Sequence, residues 1–339
     1  PVPPPAPEPE PPTPEATPVE ADVVPLYRIE TPTYAVVPPA AHMLMAASLG
    51  TFHERRGEQD LLRDGGPLPS SWARAFGQGG DRKWAGTVAP TFDGDLSGYQ
   101  IGQDLAGWGR DGHANRLGVL LGQSRMRGDV RGQALGWNDL DVGTLRLEND
   151  SLGAYWTHVG PSGWYLDGVV MVSRFDGRAV SSADMGIEIE GDGVTASFEG
   201  GYPIAMGAGW SLEPQAQVVW NRLSLDDQAD LFATVVFDAE EAVTGRLGLR
   251  LQRDPTGADR VRPYLKANLW RDFGSDQTLA LNGDEVVSDL KGTSVEVGGG
   301  VVANLTSAVS VHAVVDYTAN VDGERRRIVE GSVGLTVRW

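Results

Sequence analysis

The sequence contains no cysteine in its 339 residues. Its absence excludes disulfides, thiolate metal ligands and cysteine nucleophiles, and is compatible with an oxidising compartment. Basic residues are also scarce, with 28 Lys and Arg against 46 Asp and Glu, and a net charge of -18. That charge argues against general nucleic-acid binding, which needs a basic surface. No run of 18 apolar residues is present, so the sequence predicts no transmembrane helix.

The first residues are of low complexity and contain no positively charged signal peptide. We therefore expect the chain to be the C-terminal part of a longer precursor whose signal lies upstream. Residues 1–25 hold 11 of the 22 prolines and five acidic residues, but no Lys or Arg. This composition cannot bury a core and predicts an extended, self-repelling linker. We interpret it as a tether to an N-terminal domain, with a mere disordered tail as the alternative.

Residues 26–69 are expected to continue the linker and to contain a helix at about 38–57. Prolines suit its first turn, and strong helix formers follow until a glycine at 57. At ~1.5 Å per residue such a helix is roughly 27 Å long, close to the thickness of a bilayer's hydrocarbon core. Its charged residues disfavour lipid contact, so we expect it inside protein or a water-filled pore. The alternative is an amphipathic helix packed on a soluble core.

From residue 70 to residue 339, polar and apolar residues alternate with a period of two. Each segment has one apolar face and one polar face, over about the 9–11 residues that a tilted membrane strand requires. The sequence therefore predicts twelve strands, centred near Ala73, Gly98, Leu120, Ala154, Val169, Ser197, Gln217, Leu247, Ala267, Gly299, Val314 and Leu335.

The predicted connections alternate between short turns and longer polar loops, which is typical of an outer-membrane β-barrel. The longer loops are expected around 128–140, 175–189, 223–241 and 272–289. A β-sandwich or propeller is the alternative, but it would not need such long strands or tryptophans at strand ends. The tryptophans that we assign to the membrane interface are Trp164, Trp210, Trp220, Trp270 and Trp339.

Several stretches in combination resemble the C-terminal translocator of classical autotransporters, in the pertactin-like group. They are "ENDSLGAYWTHVGPSGWYLDGVV", "WSLEPQAQVVWNRL", "GRLGLRLQ", "RPYLKANLWRDF", "VEVGGGV" and "VGLTVRW". The similarity runs from about Tyr27 to Trp339. It implies an all-β membrane protein, a 12-stranded antiparallel transmembrane β-barrel with an N-terminal α-helix inside the pore.

The resemblance also implies that the last strand carries the signal read by the barrel-assembly machinery. The residues concerned alternate along that strand and are Val333, Leu335, Val337 and Trp339. Some autotransporters cut themselves between two asparagines of the pore helix. Here no asparagine precedes Asn115, so that reaction cannot occur, and passenger release would need another residue or another protease.

An even number of strands places both ends of the barrel on its short-turn, periplasmic side. For the linker to reach a passenger at the cell surface, the residues around 38–57 must therefore cross inside the pore. We expect Glu54, Arg55 and Arg56 to pair there with inward-facing barrel residues. The candidates, assigned from alternation alone, are Arg246, Arg250, Arg262, Glu199, Glu296 and Glu330.

Other short motifs do not indicate catalysis. "GWGRDG" at 107–112 lacks the helix that a dinucleotide site requires and predicts a hairpin turn at Asp111-Gly112. His42 and His53 lack a third metal ligand nearby and are interpreted as pore-lining residues. The glycines at 298–300 are expected to make room for the enclosed helix.

Two charged groups are assigned to the loops. Asp226, Asp227 and Asp230 are read as solvated charges, with contacts to divalent cations as the alternative. "ERRR" at 324–327 precedes the last strand on the predicted cell exterior. Arginine forks suit phosphate, so lipopolysaccharide is an expected partner there, with a solvated charge cluster as the alternative.

We predict an outer-membrane anchor and translocator for an N-terminal passenger, with no enzymatic activity, cofactor or metal. Its expected partners are that passenger, outer-membrane lipids and lipopolysaccharide, the barrel-assembly machinery and periplasmic chaperones. We expect a monomer that binds no nucleic acid. The alternatives are a free-standing outer-membrane porin or adhesin, and an outer-membrane protease or lipase with catalytic loops.

Overall fold

A computed structural model describes residues 25–58, 62, 70–253, 260–274 and 276–339. Almost all of the predicted linker at 1–25 lies outside these residues. The helices are α1 (Glu30–Ala35), α2 (Val37–Leu49) and α3 (Phe52–Arg56). Among the described residues, no helix is both long enough and apolar enough to cross a membrane.

In the described part of the chain, twelve strands form one closed antiparallel barrel. They are β1 (Ser70–Lys83), β3 (Thr91–Arg110), β4 (His113–Ala134), β5 (Trp137–Val159), β6 (Tyr165–Ser181), β7 (Gly186–Gly201), β9 (Trp210–Leu225), β12 (Glu240–Arg253), β13 (Val261–Asp272), β16 (Gly292–Asn304), β17 (Val309–Asp322) and β18 (Arg326–Arg338). The barrel closes where β1 pairs with β18, from Ser70 opposite Arg338 to Arg82 opposite Arg326. Each predicted strand centre lies in a different one of these strands, so the fold prediction is confirmed.

Side chains alternate between the two faces of the barrel wall, as the period of two predicts. On β18, Val333 and Leu335 are exposed on the outer face, whereas Ser332 and Thr336 are buried inside. One assignment was wrong. Trp270 faces the interior, where its indole N–H donates to Glu296 at 3.0 Å, because it lies on the polar face of β13 rather than at the lipid boundary.

The strands reach further beyond one end of the barrel than predicted. Residues 128–140 and 175–189, expected to be loops, mainly extend the β4–β5 and β6–β7 hairpins. Their polar composition indicated loops, yet a strand that has left the membrane has no reason to keep an apolar face. We call this the long-loop end and the opposite one the short-turn end. At the latter, Asp111 and Gly112 form the predicted turn, both with positive φ, 54° and 81°.

A second, smaller sheet lies at the long-loop end. Its strands are β10 (Gln228–Ala229), β11 (Thr234–Phe237), β14 (Asp276–Leu281), β15 (Asp284–Asp289) and β2 (Ala85–Gly86). It is built from three different connections of the barrel, and we call it the lid sheet. A short strand, β8 (Ile204–Gly207), adds to β9 at the short-turn end.

The three helices form one segment inside the barrel, which we call the pore segment. It begins at the long-loop end, where the N–H of Leu135 donates to the carbonyl of Tyr27 at 2.9 Å. It ends at the short-turn end, where Arg56 donates to the hydroxyl of Ser70 at 3.1 Å. The segment starts earlier than the predicted 38–57 and is interrupted at Gly50 (φ 63°), so it is not one straight helix.

Candidate functional site: the occupied pore

The first half of the pore segment, residues 30–49, is held mainly by apolar contacts. Tyr34, Val36 and Leu44 are completely buried. Around them pack barrel residues such as Val130, Val142, Leu145, Leu147 and Phe175, and lid-sheet residues such as Val235, Phe237, Leu279 and Val286. The lid sheet therefore shares one apolar core with the pore segment, and the long-loop end is closed around it.

The interruption at Gly50 is held by an arginine of the barrel wall. Arg74 donates from Nη2 to the carbonyls of Ala47 and Ser48, at 2.9 and 2.8 Å. A cationic group at these orphan carbonyls completes the C-terminus of α2. A Cβ at Gly50 would lie 2.1 Å from Nη1 of Arg74, so only glycine leaves room for the guanidinium.

The chain resumes helical structure at once through a capping box. The hydroxyl of Thr51 accepts from the N–H of Glu54, whose carboxylate accepts from the N–H of Thr51 at 2.9 Å. Glu54 also accepts from Nζ of Lys266 at 2.9 Å and lies 3.9 Å from Arg74. This carboxylate thus both caps α3 and ties it to two strands.

The two arginines that follow bind buried aspartates of the wall. Arg55 donates to Asp167. Arg56 donates through two nitrogens to the two oxygens of Asp104, at 3.0 and 3.1 Å. The hydroxyl of Tyr155 donates to the same carboxylate at 2.7 Å. These side chains are at most 1% exposed at both ion pairs, so α3 is locked at the short-turn end.

The structure gives the three predicted helix residues other ionic partners than the six predicted wall residues. Arg246 pairs with Glu199 at 2.9 Å, which joins two wall strands. Glu199 does contact the pore segment, since it accepts from the N–H of Phe52 at 2.9 Å. Arg250 donates to the carbonyl of Gly57 at 3.4 Å, and Arg262 pairs with Glu58, so these two reach the chain just beyond α3.

Of the remaining two predicted residues, Glu296 contacts the lysine that binds Glu54, whereas Glu330 contacts a glutamine. Glu296 accepts from Lys266 at 3.0 Å, and Asp316 accepts from it at 2.8 Å. Glu330 accepts from the amide of Gln78 at 2.5 Å. More carboxylates than cations therefore lie around Lys266, and its ammonium group contacts three of them, Glu54, Glu296 and Asp316.

Sequence reasoning missed Arg74, Asp104 and Asp167 as partners, although alternation along their strands places them inside. It also missed the pattern Thr-x-x-Glu at 51–54, which is a capping-box signature and predicts a new helix start. The glycines at 298–300 were misread. Gly298 and Gly300 make room for the side chains of Asp316 and Tyr264 rather than for the helix.

A cavity of about 110 Å³ remains beside the pore segment. It lies between α2 and the strands β9, β12, β13 and β18, and Glu54, Trp270, Glu296 and Glu330 contribute to its lining. The pore is thus filled asymmetrically, since α2 packs against β3 to β7 and β9 but leaves this space toward β12, β13 and β18.

At the long-loop end, the chain entering the pore is fixed by one loop aspartate. Asp230 accepts from Arg28 at 2.7 Å and from the hydroxyl of Tyr34 at 3.1 Å. Of the "ERRR" residues, Arg325 pairs with Asp81 at 2.5 Å and Arg326 with Asp272 at 3.6 Å. These charges therefore join loops and strands of the protein itself.

A closed barrel with an apolar outer face and a polar interior filled by its own N-terminal segment defines an outer-membrane β-barrel with an occupied pore. The family model for the autotransporter beta-domain matches residues 71–316, and the chain belongs to this family. It is an outer-membrane translocator barrel for passenger secretion in a Gram-negative cell. The predicted family, fold, function and location are confirmed.

Curated relatives extend the similarity beyond that range. Pertactin autotransporter of Bordetella bronchiseptica is 30% identical over 285 residues, covering 82% of this chain and 30% of that protein. BrkA autotransporter of Bordetella pertussis is 30% identical over 281 residues, covering 80% of this chain and 26% of that protein. The chain thus spans less than a third of the length of these relatives.

Solved structures show the same fold. The transport unit of AIDA-I from Escherichia coli has a TM-score of 0.72 at 17% identity, covering 92% of this chain and all of that one. The translocator domain of NalP from Neisseria meningitidis has a TM-score of 0.65 at 16% identity, covering 91% and 99%.

Proposed function

We propose that the pore segment is the plug and tether that remains in the barrel once the passenger has reached the cell surface. The observation that carries this proposal is its double attachment, apolar at the long-loop end and ionic at the short-turn end. The N-terminal end of the pore segment lies at the long-loop end, so a passenger joined ahead of the segment is delivered to the cell exterior. The barrel itself performs no bond chemistry in this proposal, and secretion proceeds through a hairpin intermediate.

Deletion of residues 30–57 tests the plug. We expect the single-channel conductance in planar bilayers to rise several-fold, because the widest obstruction of the pore is removed. A matched control deletes residues 1–24 and should leave the conductance unchanged. An unchanged conductance in the first deletion, with a folded barrel by heat-modifiable gel mobility, would contradict the proposal.

We further propose that the barrel-assembly machinery and periplasmic chaperones recognise the outward-facing side of β18. Val333 and Leu335 are exposed there, Val337 is partly exposed, and Trp339 follows the strand with its side chain exposed. Replacing Trp339 and Leu335 by serine should reduce the amount of folded barrel in the outer membrane, whereas serine at Val315, which is also exposed on the outer face, should not.

Lipopolysaccharide is the proposed lipid partner of the long-loop half of the barrel. Arginines are exposed on the outer faces of several strands there, beyond the apolar band. Guanidinium groups bind phosphate in a bidentate manner. Co-purification of lipopolysaccharide with the barrel, lost in high salt, is the expected result.

A further inference from the structure

Three arginines lie side by side on the outer surface of neighbouring strands. Arg127 on β4 is the cross-strand partner of Arg146 on β5, and Arg146 is the partner of Arg178 on β6. All three are exposed, the side chains of Arg146 and Arg178 by 62% and 61%. We call this set the arginine row.

Such a row is unfavourable unless anions neutralise it. Directly opposed side chains in an antiparallel sheet have Cβ atoms about 5 Å apart, and like charges at that distance destabilise the pairing. Carboxylates of the protein supply part of the compensation, since Asp95 is the cross-strand partner of Arg127, Arg146 donates to Glu148 at 2.6 Å and Arg178 pairs with Glu188 at 3.3 Å. Exposed pairs of this kind contribute little. Each guanidinium has five N–H donors, so donors remain for a further anion.

The depth of the row in the membrane follows from a second, parallel row. Leu121, Leu152 and Val172 are cross-strand partners on the same three strands and are exposed on the outer face. On each strand the arginine lies six positions further toward the long-loop end. With a rise of ~3.3 Å per residue and a tilt of about 40°, that separation is roughly 15 Å along the barrel axis.

The apolar row is the last one on these outer faces, since the residues two positions further on are Gln123, Asp150 and Arg174. It therefore marks the edge of the hydrocarbon region, and the arginine row lies just above the headgroups of the outer leaflet. Long arginine side chains extend toward such an interface from a distance. Anionic headgroups there carry phosphate on a sugar scaffold.

We propose that the arginine row binds the phosphate groups of the glycolipid in the outer leaflet, lipopolysaccharide, and thereby fixes the β4–β6 side of the barrel against that lipid. This inference deepens the lipid part of the proposed function and rests on the orientation given there. It moves the site from the "ERRR" residues to the arginine row, because the side chains of Arg325 and Arg326 are only 38% and 23% exposed, against 62% and 61% for Arg146 and Arg178.

The test uses the full chain in phospholipid nanodiscs and a triple variant, Arg127→Gln, Arg146→Gln and Arg178→Gln. Titrated lipopolysaccharide should bind the variant about tenfold more weakly, because charge-assisted hydrogen bonds to three groups are lost. The matched control carries the same change in charge at the short-turn end, Arg110→Gln, Arg253→Gln and Arg260→Gln. It should bind as the unmodified chain does. The single variant Arg146→Gln should lie between the two.

Two further probes identify the ligand chemistry. Dephosphorylated glycolipid should bind the unmodified chain and the triple variant equally weakly, and inorganic phosphate should not compete at equal concentration. Equal lipopolysaccharide binding by the triple variant, equal loss in the control, or undiminished binding of the dephosphorylated glycolipid would overturn the proposal. Conductance of the triple variant should be unchanged, so failure here and failure of the plug proposal are separate results.

Discussion

The pore segment has an apolar half, residues 30–49, and an ionic half, residues 52–58, inside the same barrel. The apolar half packs against the wall and the lid sheet through side chains such as Leu44. The ionic half is fixed by Glu54, Arg55 and Arg56 to carboxylates and cations on different strands. Burial of apolar side chains stabilises any well-packed position of the pore segment along the barrel, whereas ion pairs between defined partners stabilise only one position. The apolar contacts at the long-loop end therefore retain the segment, and the ion pairs at the short-turn end fix its position.

The largest expected effect comes from breaking the ionic half. Arg56→Ala leaves the carboxylate of Asp104 buried without its main cation, and should lower the free energy of unfolding by about 4 kcal/mol. Chemical unfolding in detergent measures this. Adding Asp104→Asn to Arg56→Ala should recover part of the loss. Arg146→Ala removes an exposed ion pair and serves as the control, with an expected change below ~0.5 kcal/mol. A small effect of Arg56→Ala would mean that water compensates the aspartate.

Truncation in the apolar half should cost somewhat less, and that cost should not depend on salt. Leu44 is completely buried, so Leu44→Ala should lower the free energy of unfolding by about 3 kcal/mol. Because salt screens only charges, the difference from the unmodified chain should be the same in about 0.1 M and about 1 M salt. Leu121→Ala, on the lipid-facing surface, is the control. A strongly salt-dependent difference for Leu44→Ala would contradict the division into two halves.

A variant at the junction tests whether the halves are coupled. Gly50→Ala places a methyl group against the guanidinium of Arg74 and imposes a positive φ on alanine. We expect a loss of about 2 kcal/mol. Gly283→Ala is the matched control, since Gly283 also has a positive φ, 94°, but no atom lies within 4 Å of the place that a Cβ would take there. Equal losses in the two variants would indicate that backbone strain alone causes the effect and that the contact with Arg74 contributes nothing.

The smallest effect is expected at the entry to the pore, and it depends on pH. Burial raises the pKa of Asp230, but hydrogen bonds from the N–H groups of Phe232 and Ala233 and from Arg28 and Tyr34 outweigh it, and the pKa is lowered. A carboxylate with a lowered pKa in the folded state stabilises the fold above its unfolded pKa and loses that contribution as the pH falls through its folded pKa. The difference in melting temperature between the unmodified chain and Asp230→Asn should therefore be constant from pH 7 to about 5 and shrink below pH 4. A difference that grows at low pH would contradict this sign.

Much of the fold was predictable because its signal is local. Alternation along each strand reports which face is lipid and which is water, and it placed Glu199, Arg246 and Glu296 on the inner face, where the structure has them. It failed beyond the membrane, at 128–140 and 175–189, where both faces of the hairpins meet water and the composition resembles that of a loop.

The pairing inside the pore was not predictable in the same way. Arg55 and Asp167 are 112 positions apart, and Arg56 and Asp104 are 48 apart. Which wall residue meets a helix residue depends on the stagger of the strands, the rotation of α3 after Gly50, and the side on which α2 packs. The alternation of polar and apolar residues along a strand contains no information about these three features.

The sequence by itself determined the number of barrel strands, their inward and outward faces, and a helical segment before them, since each depends on residues close together in the chain. Only the tertiary structure decided the rotation of α3 after Gly50, the lid sheet that joins three distant connections, and the partners of each buried charge. Those features depend on residues that meet only when the barrel closes.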